Sequence, residues 1–351
     1  MRYITASLRA LLLMATALLL VSCGDNKANS VISQLSGETM GTFWHVRLAA
    51  PLDAPAQAAL QRRIDVALEA VNDSMSTYRD QSELMRFNHS TATTPQPVSD
   101  GMRRVVGKAL EISAQSDGVY DITVGPLVNL WGFGPIKRQD KPADSEIAEA
   151  LQHVGYGKLQ LTDAGLAKSD PQAFIDLSSI AKGYGVDVVA ETLLDAGYTN
   201  FIVEIGGEVH ASGSKYGAPW RVGIERPEQG LATGEGVENI IAMNEKLPAM
   251  ATSGNYRQYA ERGGEMAYHI VDPRDGRSHS SRLLSATVLA PDCMTADGYA
   301  TALMVLGDEK ALEFADRYGL AAELILAGDD KQPFIIERSR AFRAAVQEEK
   351  P

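Results

Sequence analysis

Cysteine is scarce in this chain. Its 351 residues include only Cys23 and Cys293. Because Cys23 is expected to carry a lipid, as argued below, Cys293 has no partner and no internal disulfide can form. The fold must therefore depend on a packed core, and a hydrophobic content of 45% is sufficient for one large domain or two intimate ones.

Positive charge is also in short supply. The chain has 33 Lys and Arg residues against 45 Asp and Glu residues, a formal net charge of −12. A basic surface that would bind nucleic acid is therefore not expected. An anionic ligand would need a local metal ion or a helix N-terminus to hold it.

Several common catalytic motifs are missing. The six histidines include no pair spaced four residues apart, so a zinc site of the metalloprotease type is not expected. No Gly-x-Ser-x-Gly segment occurs, which disfavours an esterase-type hydrolase. The Gly-x4-Gly-Lys-Ser/Thr phosphate-binding loop is absent as well.

The N-terminal segment has the features of an export signal. Arg2 and Arg9 precede an apolar run at residues 11–21. The run is too short to cross a hydrocarbon core of roughly 30 Å, so it is typical of a cleaved signal peptide. It ends in Leu20-Val21-Ser22-Cys23, a bacterial lipoprotein cleavage pattern. The alternative is an ordinary signal peptide with a chance cysteine.

We therefore expect residues 1–22 to be removed and Cys23 to become a diacylglycerol-bearing N-terminus, with residues 23–33 as lipidated cysteine and tether. Two acyl chains on one residue give stable anchoring to a membrane. The protein would then lie on the periplasmic face of a bacterial membrane, and we expect the inner one. Residues 34–337 would form the folded domain, and residues 338–351 a charged tail that frays.

Hydrophobic periodicity predicts an α+β domain. Apolar residues at helical spacing predict helices over residues 54–75, 99–116, 180–196, 294–306 and 309–318. Alternating or short apolar runs predict strands at residues 43–48, 201–205, 220–224, 268–271, 285–289 and 322–326. Residues 120–142, rich in Gly, Pro and aromatics, are predicted to be a structured loop. Since helices and strands come in blocks, the sheet should be largely antiparallel and packed with helices.

Asp297 and Thr301 are candidate metal ligands. They lie four residues apart on the predicted helix 294–306, so they share one helical face. A carboxylate and a hydroxyl are the hard oxygen ligands that Mg²⁺ prefers. Taken alone, an Asp near a helix start is more often a cap.

Residues 176–185 are a candidate phosphate-binding segment. A short apolar strand leads there into a helix start, whose backbone amides favour anions. Lys182 would add a positive charge. The alternative is a helix capped by Asp176 or Ser178, with Lys182 in solvent.

Two glycine-containing turns and one histidine are further candidates for ligand binding and catalysis. Residues 37–42 would let the backbone approach a flat or phosphorylated ligand, although a plain turn into a strand is the simpler interpretation. Gly206 and Gly207 have the same ambiguity. His269, next to an Asp-Pro turn, would suit a general base near neutral pH, but a structural histidine is the commoner case.

Taken together, these segments resemble the ApbE family of FAD:protein FMN transferases. The matching stretches follow the family's order from residue 37 to about residue 307, most of the mature chain. They are residues 37–42 with Trp44, 74–78, 82–88, 117–126, 130–134, 176–187, 205–207, 251–256, 269–273 and 295–302. One such match carries little weight, whereas the ordered set behind a lipoprotein signal is specific.

The resemblance implies a fold and a set of roles. The fold is an α+β, T-fold-like domain with FAD in a cleft. Asp297, Thr301 and the backbone carbonyl of Ser179 would bind Mg²⁺. His269 would be the base that activates an acceptor hydroxyl. The residues expected to contact FAD are Met40, Tyr78, Val119, Tyr120, Asp121, Asp176, Lys182 and Ile270.

The implied reaction moves the FMN part of FAD to a Thr or Ser hydroxyl of another flavoprotein and releases AMP. Bound Mg²⁺ would offset the charge on the phosphates and on the leaving group. The implied acceptors carry a short Asp/Ser-Gly-Ala-Thr/Ser segment and face the periplasm, as in Na⁺-translocating NADH:quinone reductase and related complexes. Anchoring to the same membrane raises the effective concentration of enzyme and acceptor. Two alternatives stay open: an FAD pyrophosphatase that uses water as acceptor, and a flavin-binding lipoprotein without catalysis.

Overall fold

The computed structural model describes residues 31–227, 236–255, 259–262, 264–279, 281–329 and 331–346. The predicted signal peptide, Cys23 and most of the tether lie outside these residues, as does Tyr256 of the matched segment 251–256. Within the described ranges, no helix is long and apolar enough to cross a membrane.

An eight-stranded antiparallel sheet forms the centre of the molecule. In chain order its strands are β1 (Ser33–Thr39), β2 (Thr42–Leu48), β5 (Phe201–Ile205), β6 (Glu208–Ser212), β9 (Ala249–Gly254), β12 (Leu283–Ala290), β13 (Ala321–Ala327) and β14 (Phe334–Arg338). They lie side by side in that same order, so the chain crosses the sheet from one edge to the other. The predicted α+β fold with a largely antiparallel sheet is confirmed.

Three two-stranded sheets flank this centre. They are formed by β3 (Leu159–Thr162) with β4 (Gly165–Lys168), β7 (Arg221–Glu225) with β8 (Val237–Ala242), and β10 (Tyr259–Arg262) with β11 (Glu265–Tyr268). Apart from β7 and β11, these short strands carry no pattern that the sequence analysis recognised.

The described residues also form eight α-helices, and those that begin at residues 54, 181, 293 and 340 pack on the central sheet. The eight helices are α1 (Ala54–Met75), α2 (Glu83–His89), α3 (Asp100–Gln115), α4 (Gly125–Leu130), α5 (Asp144–Leu151), α6 (Ala181–Asp195), α7 (Cys293–Tyr318) and α8 (Arg340–Ala345). The bounds of α1 match the prediction. Asp53 accepts a hydrogen bond from Ala56 N at 2.8 Å and so caps α1, while Leu60, Ile64 and Leu68 bury its apolar face.

A tight hairpin joins β1 and β2. Its two turn residues, Met40 and Gly41, have φ values of 50° and 72°. Positive φ at both positions is the backbone of the two-residue turn that fits the twist of paired strands. Residues 37–42 are therefore the end of one strand, a turn and the start of the next, where the sequence predicted only a turn ahead of a strand.

Three predictions of local structure need correction. The predicted loop 120–142 contains helix α4. The predicted strand 268–271 is wrong from residue 269 onward, because β11 ends at Tyr268 and His269 follows it in an irregular segment. The predicted tail 338–351 contains helix α8, whose Phe342 is buried at 1% exposure, so this part of the tail packs with the domain.

Helix α7 combines the two predicted helices 294–306 and 309–318. Its backbone is interrupted at Gly307, which has φ 72° and ψ −176°. Glycine reaches that conformation without a steric penalty, which explains the break at this residue.

The central sheet has a narrow junction between β6 and β9. Only two residue pairs join these strands, Val209 with Met250 and His210 with Ala249. Helix α6 packs on β5 and β6, and α7 packs mainly on β9 and β12. The two helices also pack on each other, so they close the junction from one side.

Candidate active site

Helices α6 and α7 meet at Gly183. A Cβ atom at this position would lie 2.4 Å from the carbonyl oxygen of Cys293, so only glycine permits the approach. The backbone N–H of Gly183 donates to Oδ2 of Asp297 at 2.9 Å. The predicted metal ligand Asp297 is thereby oriented from the neighbouring helix, and it is 2% exposed.

Lys182 lies between two carboxylates. Its Nζ is 2.6 Å from Oε1 of Glu208 on β6 and 3.8 Å from Oδ1 of Asp297. We call the set Glu208, Lys182 and Asp297 the lysine bridge. The alternative of a solvated Lys182 is wrong, and its charge is already balanced by Glu208.

The pKa values of all three ionisable groups in the lysine bridge are shifted. Burial raises the pKa of the Asp297 carboxyl, with Lys182 acting in the opposite direction. Burial likewise raises the pKa of the Glu208 carboxyl, again against the effect of Lys182. For Lys182 burial lowers the pKa, but the charges of Asp297 and Glu208 outweigh it and the net direction is upward. Lys182 therefore keeps its proton, whereas burial shifts both carboxyls toward their neutral forms.

The oxygen atoms around Asp297 fit a hard divalent cation. The N–H of Gly183 donates a hydrogen bond to Oδ2. Among the described residues, only the Lys182 ammonium lies near Oδ1, at 3.8 Å, which is beyond hydrogen-bond distance. Thr301, one helical turn later, has its hydroxyl 3.0 Å from the Ser253 hydroxyl on β9. A carboxylate oxygen that can still accept a ligand, with hydroxyls nearby, suits Mg²⁺ rather than zinc.

Ser179 and Tyr120 lie at the start of α6. The Tyr120 hydroxyl is 2.9 Å from Oγ of Ser179, and burial raises the pKa of Tyr120. The neighbouring Asp121 is held by the Thr123 backbone and hydroxyl and by the Tyr156 N–H. These predicted FAD contacts are thus fixed by local hydrogen bonds. Val119, also predicted, is buried.

Asp176 forms a local turn instead of a helix cap. Its Oδ1 accepts from Ser178 N at 2.8 Å, while the residue at the N-cap position of α6 is Ile180, which has no side-chain cap. The alternative of Asp176 or Ser178 as the cap of α6 is therefore wrong. The charge of Asp176 also contributes to a raised pKa of Tyr78, after the larger effect of burial.

Phe133 connects Tyr78 with His269. The Tyr78 hydroxyl donates to the Phe133 carbonyl at 3.4 Å, and the Phe133 ring meets the His269 ring edge to face at 6.4 Å between centroids. Tyr78 remains 63% exposed. The exposed ring of Tyr78 offers a surface on which a flat ring can stack.

Two other predicted FAD contacts, Met40 and Ile270, lie in different surroundings. Met40 packs against Gly185 of α6, where an added Cβ would lie 2.8 Å from its Cε. Ile270 lines a surface cavity of about 500 Å³ together with residues 304–307, where the first section of α7 ends. In the described part of the chain, neither Met40 nor Ile270 is hydrogen-bonded to Asp297.

The same cavity contains a group of metal-binding type that the sequence did not predict. Ligand atoms of Asp272, Asp275 and His279 lie within 4.8 Å of one another. However, Asp272 pairs with Arg274, and Asp275 is 2.6 Å from the His279 ring. Since these carboxylates already have cationic or hydrogen-bonding partners, we assign no ion to this group.

Sequence reasoning missed Glu208, Asp187 and His210. Glu208 follows the Gly206-Gly207 turn that the sequence analysis singled out, but a carboxylate in a short strand gives no sign of burial. Asp187 belongs to a matched segment without an expected role. The sequence analysis treated His210 only as one of six histidines, no two of which are four residues apart. A contact between separate elements was needed to find all three.

Comparisons with known proteins decide the family. A model of the ApbE family matches residues 40–324. The chain belongs to the ApbE family.

Relatives within the ApbE family are similar over nearly their full length. The FAD:protein FMN transferase of Haemophilus influenzae is 44% identical over 345 residues, 95% of this chain and 96% of that protein. That of Vibrio cholerae is 43% identical over 322 residues, 91% of this chain and 94% of that protein. The expectation that the chain is an enzyme, a transferase, is confirmed.

Solved ApbE structures share the fold. The flavin transferase ApbE from Vibrio cholerae is 42% identical, with a TM-score of 0.79 over 90% of this chain and 100% of that chain. The apo form of the Pseudomonas stutzeri flavinyl transferase ApbE is 35% identical, with a TM-score of 0.80 over 90% of this chain and 96% of that chain.

Proposed function

We propose that this ApbE protein transfers the FMN part of FAD to a Thr or Ser hydroxyl of an acceptor flavoprotein, with Mg²⁺, and releases AMP. The names of its relatives support flavin transfer. The observation that carries the finer proposal is the Asp297 carboxylate, which is fixed through one oxygen and open at the other beside Lys182.

In this proposal α6 and α7 together hold the metal and the phosphates. Asp297, Thr301 and the carbonyl of Ser179 would bind Mg²⁺, which would supply Lewis-acid stabilisation of charge on the FAD pyrophosphate. Lys182 would orient a phosphate oxygen while Glu208 holds its ammonium. The lysine bridge has two carboxylates and one ammonium, so it repels an anionic ligand until a cation is bound.

The rest of FAD would be held by residues around the α6 start. Tyr78 has an exposed ring for stacking, and Met40 and Ile270 supply apolar contacts. Val119 and Tyr120 are buried, so their contribution would be through the backbone. Asp121 and Asp176 would accept hydrogen bonds.

His269 would accept the proton of the acceptor hydroxyl. The acceptor oxygen would form a bond to the phosphorus on the flavin side, and the bond to the AMP oxygen would break. The edge-to-face contact with Phe133 limits the orientations of the His269 ring. A base with a fixed ring orientation can stay within reach of a hydroxyl that arrives on another protein.

The site of action is a further part of the proposal. A lipid on Cys23, which lies outside the described residues, would tether the domain to the periplasmic face of the inner membrane. Flavoprotein acceptors with an Asp/Ser-Gly-Ala-Thr/Ser segment at that surface would then be within reach.

The test uses the full chain purified in detergent, with FAD, Mg²⁺ and an acceptor domain that carries the Thr-containing segment. A covalent mass gain equal to FMN that needs both Mg²⁺ and the acceptor Thr supports transfer. Free FMN and AMP with an unmodified acceptor would show a pyrophosphatase, and absence of FAD turnover would leave a flavin-binding protein.

Two variants test the assigned residues in the same assay. Asp297→Ala should abolish transfer while the chain stays folded, because it removes the metal carboxylate. His269→Ala should keep FAD binding and slow transfer by about 10²-fold or more, the usual contribution of a general base. Unchanged flavinylation in either variant would remove that residue from the mechanism.

A further inference from the structure

A second polar connection runs parallel to the lysine bridge. Oδ1 of Asp187 on α6 accepts from Cys293 N at 2.8 Å, and Oδ2 accepts from Met294 N at 2.9 Å. Nδ1 of His210 on β6 lies 3.2 Å from Oδ1 of the same carboxylate. We call the set His210, Asp187 and these two amides the aspartate clasp.

The two connections start from the same face of β6. Glu208 and His210 are two residues apart on this strand, so their side chains point the same way. From there one connection passes through Lys182 to Asp297, and the other through Asp187 to the first amides of α7. The lysine bridge and the aspartate clasp thus join the same three elements, β6, α6 and α7, at two places.

The aspartate clasp does more than cap a helix. Helix α7 already has a cap from its own chain, because Oδ1 of Asp292 accepts from Thr295 N at 2.8 Å. Asp187 is 106 residues away from Cys293 in sequence and uses both carboxylate oxygens on α7. A cap from residues next to α7 stabilises this helix without fixing its position. A cap from α6 also fixes the position of the first turn of α7 relative to α6.

The position of α7 matters because the proposed metal ligands come from both helices. Asp297 lies one turn after Cys293, and Ser179 lies two residues before the first residue of α6. The side chain of Asp187 is only 4% exposed, so water does not readily replace it as an acceptor.

We propose that Asp187, supported by His210, is a positioning residue of the metal site, which fixes α7 against α6 and so sets the separation of Asp297 and Ser179. This inference rests on the proposed function, since it takes Asp297 and Ser179 as metal ligands. Groups that orient metal ligands from outside the ligand set change metal affinity by about 10–100-fold when they are removed.

The experiment is calorimetric titration of the full chain in detergent with MgCl₂ alone, compared with thermal unfolding in EDTA. Asp187→Asn keeps the shape but turns an amide N–H toward one of the α7 amides. Asp292→Ala is the matched control, because it removes an acceptor from the same helix end without touching α6. We expect Asp187→Asn to bind Mg²⁺ roughly tenfold more weakly, and Asp292→Ala to lose melting temperature while it keeps wild-type Mg²⁺ affinity.

The outcomes separate this inference from the proposed function. Wild-type protein that binds no Mg²⁺ would overturn the proposed metal site and this inference with it. If the wild type binds Mg²⁺ and Asp187→Asn binds it with the same affinity, the positioning role alone is overturned. The same holds if Asp292→Ala loses as much Mg²⁺ affinity as Asp187→Asn. If Asp187→Asn does not fold, His210→Phe decides: a reduced Mg²⁺ affinity supports the aspartate clasp, and wild-type affinity refutes it.

Discussion

Replacing Lys182 by Met should destabilise the protein strongly when no metal is present. The substitution keeps most of the side-chain volume but removes the ammonium that lies 2.6 Å from Glu208 and 3.8 Å from Asp297. Two buried carboxylates would then face each other without a cation. Glu208 already has one buried oxygen, Oε2, without a hydrogen-bond partner, so loss of Lys182 would remove a hydrogen bond from a carboxylate that is already incompletely paired.

The size of the effect follows from the distances. With an effective dielectric constant of about 20, the attraction of Lys182 to Glu208 at 2.6 Å is about 6 kcal/mol and that to Asp297 at 3.8 Å about 4 kcal/mol, before desolvation. Desolvation cancels much of this gain, and loss of one partner from a buried pair usually costs about 3–5 kcal/mol. We expect Lys182→Met to lower the free energy of unfolding by that amount.

A second substitution should reverse part of the loss. Glu208→Gln on the Lys182→Met background removes one of the two unpaired charges and keeps the shape of the side chain. The double variant should therefore be more stable than Lys182→Met alone, by about 1–3 kcal/mol. Added Mg²⁺ should also restore stability to Lys182→Met, by about 2.7 kcal/mol at a hundred times its dissociation constant.

Urea unfolding in EDTA, followed by tryptophan fluorescence, measures these differences. Lys108→Met is the control, because Lys108 pairs with Glu111 on the exposed face of α3 at 2.8 Å, and such pairs contribute about 0–1 kcal/mol. A Lys182→Met variant as stable as the wild type, or a double variant less stable than Lys182→Met, would refute the charge argument.

Two further predictions concern the helix contact and a buried lysine. Gly183→Ala should cost about 1–3 kcal/mol of stability, because its Cβ would lie 2.4 Å from the Cys293 carbonyl oxygen. Gly157→Ala is the control and should cost little, because no atom lies within 4 Å of the added Cβ. Equal urea midpoints for the two variants would contradict this prediction. Lys168 is fully buried and donates to two backbone carbonyls, and burial lowers its pKa. Since the unfolded chain then holds the proton to higher pH, the free energy of unfolding should rise, relative to Lys168→Met, as pH increases through the lowered pKa toward 10.5. Parallel pH profiles of the two proteins would contradict that assignment.

Regular periodicity made part of the fold predictable. The 22 residues of α1 repeat apolar side chains at helical spacing and carry a cap at Asp53, so local pattern and tertiary packing agree. The same holds for β2, whose Trp44, Val46 and Leu48 alternate and are buried. Short strands such as β3 and β4, with four residues each, contain too few positions for a period to show.

The candidate site was predictable only in part. Spacing alone placed Asp297 and Thr301 on one helical face, and the order of the matched segments supplied the other expected residues. Glu208 and Asp187 could not be found this way, because their roles depend on partners 26 and 106 residues away. Periodicity describes one element at a time and carries no information about which polar groups meet between elements.

The narrow junction between β6 and β9 is the shortest strand pairing in the central sheet. Each half of the central sheet has longer strand pairs of its own, so we expect an opening of the sheet to begin at Val209 and His210. Because α6 belongs to one half and α7 to the other, that opening also parts the lysine bridge and the aspartate clasp. A ligand held by both helices would therefore bind the closed form better than the open form and would stabilise the junction.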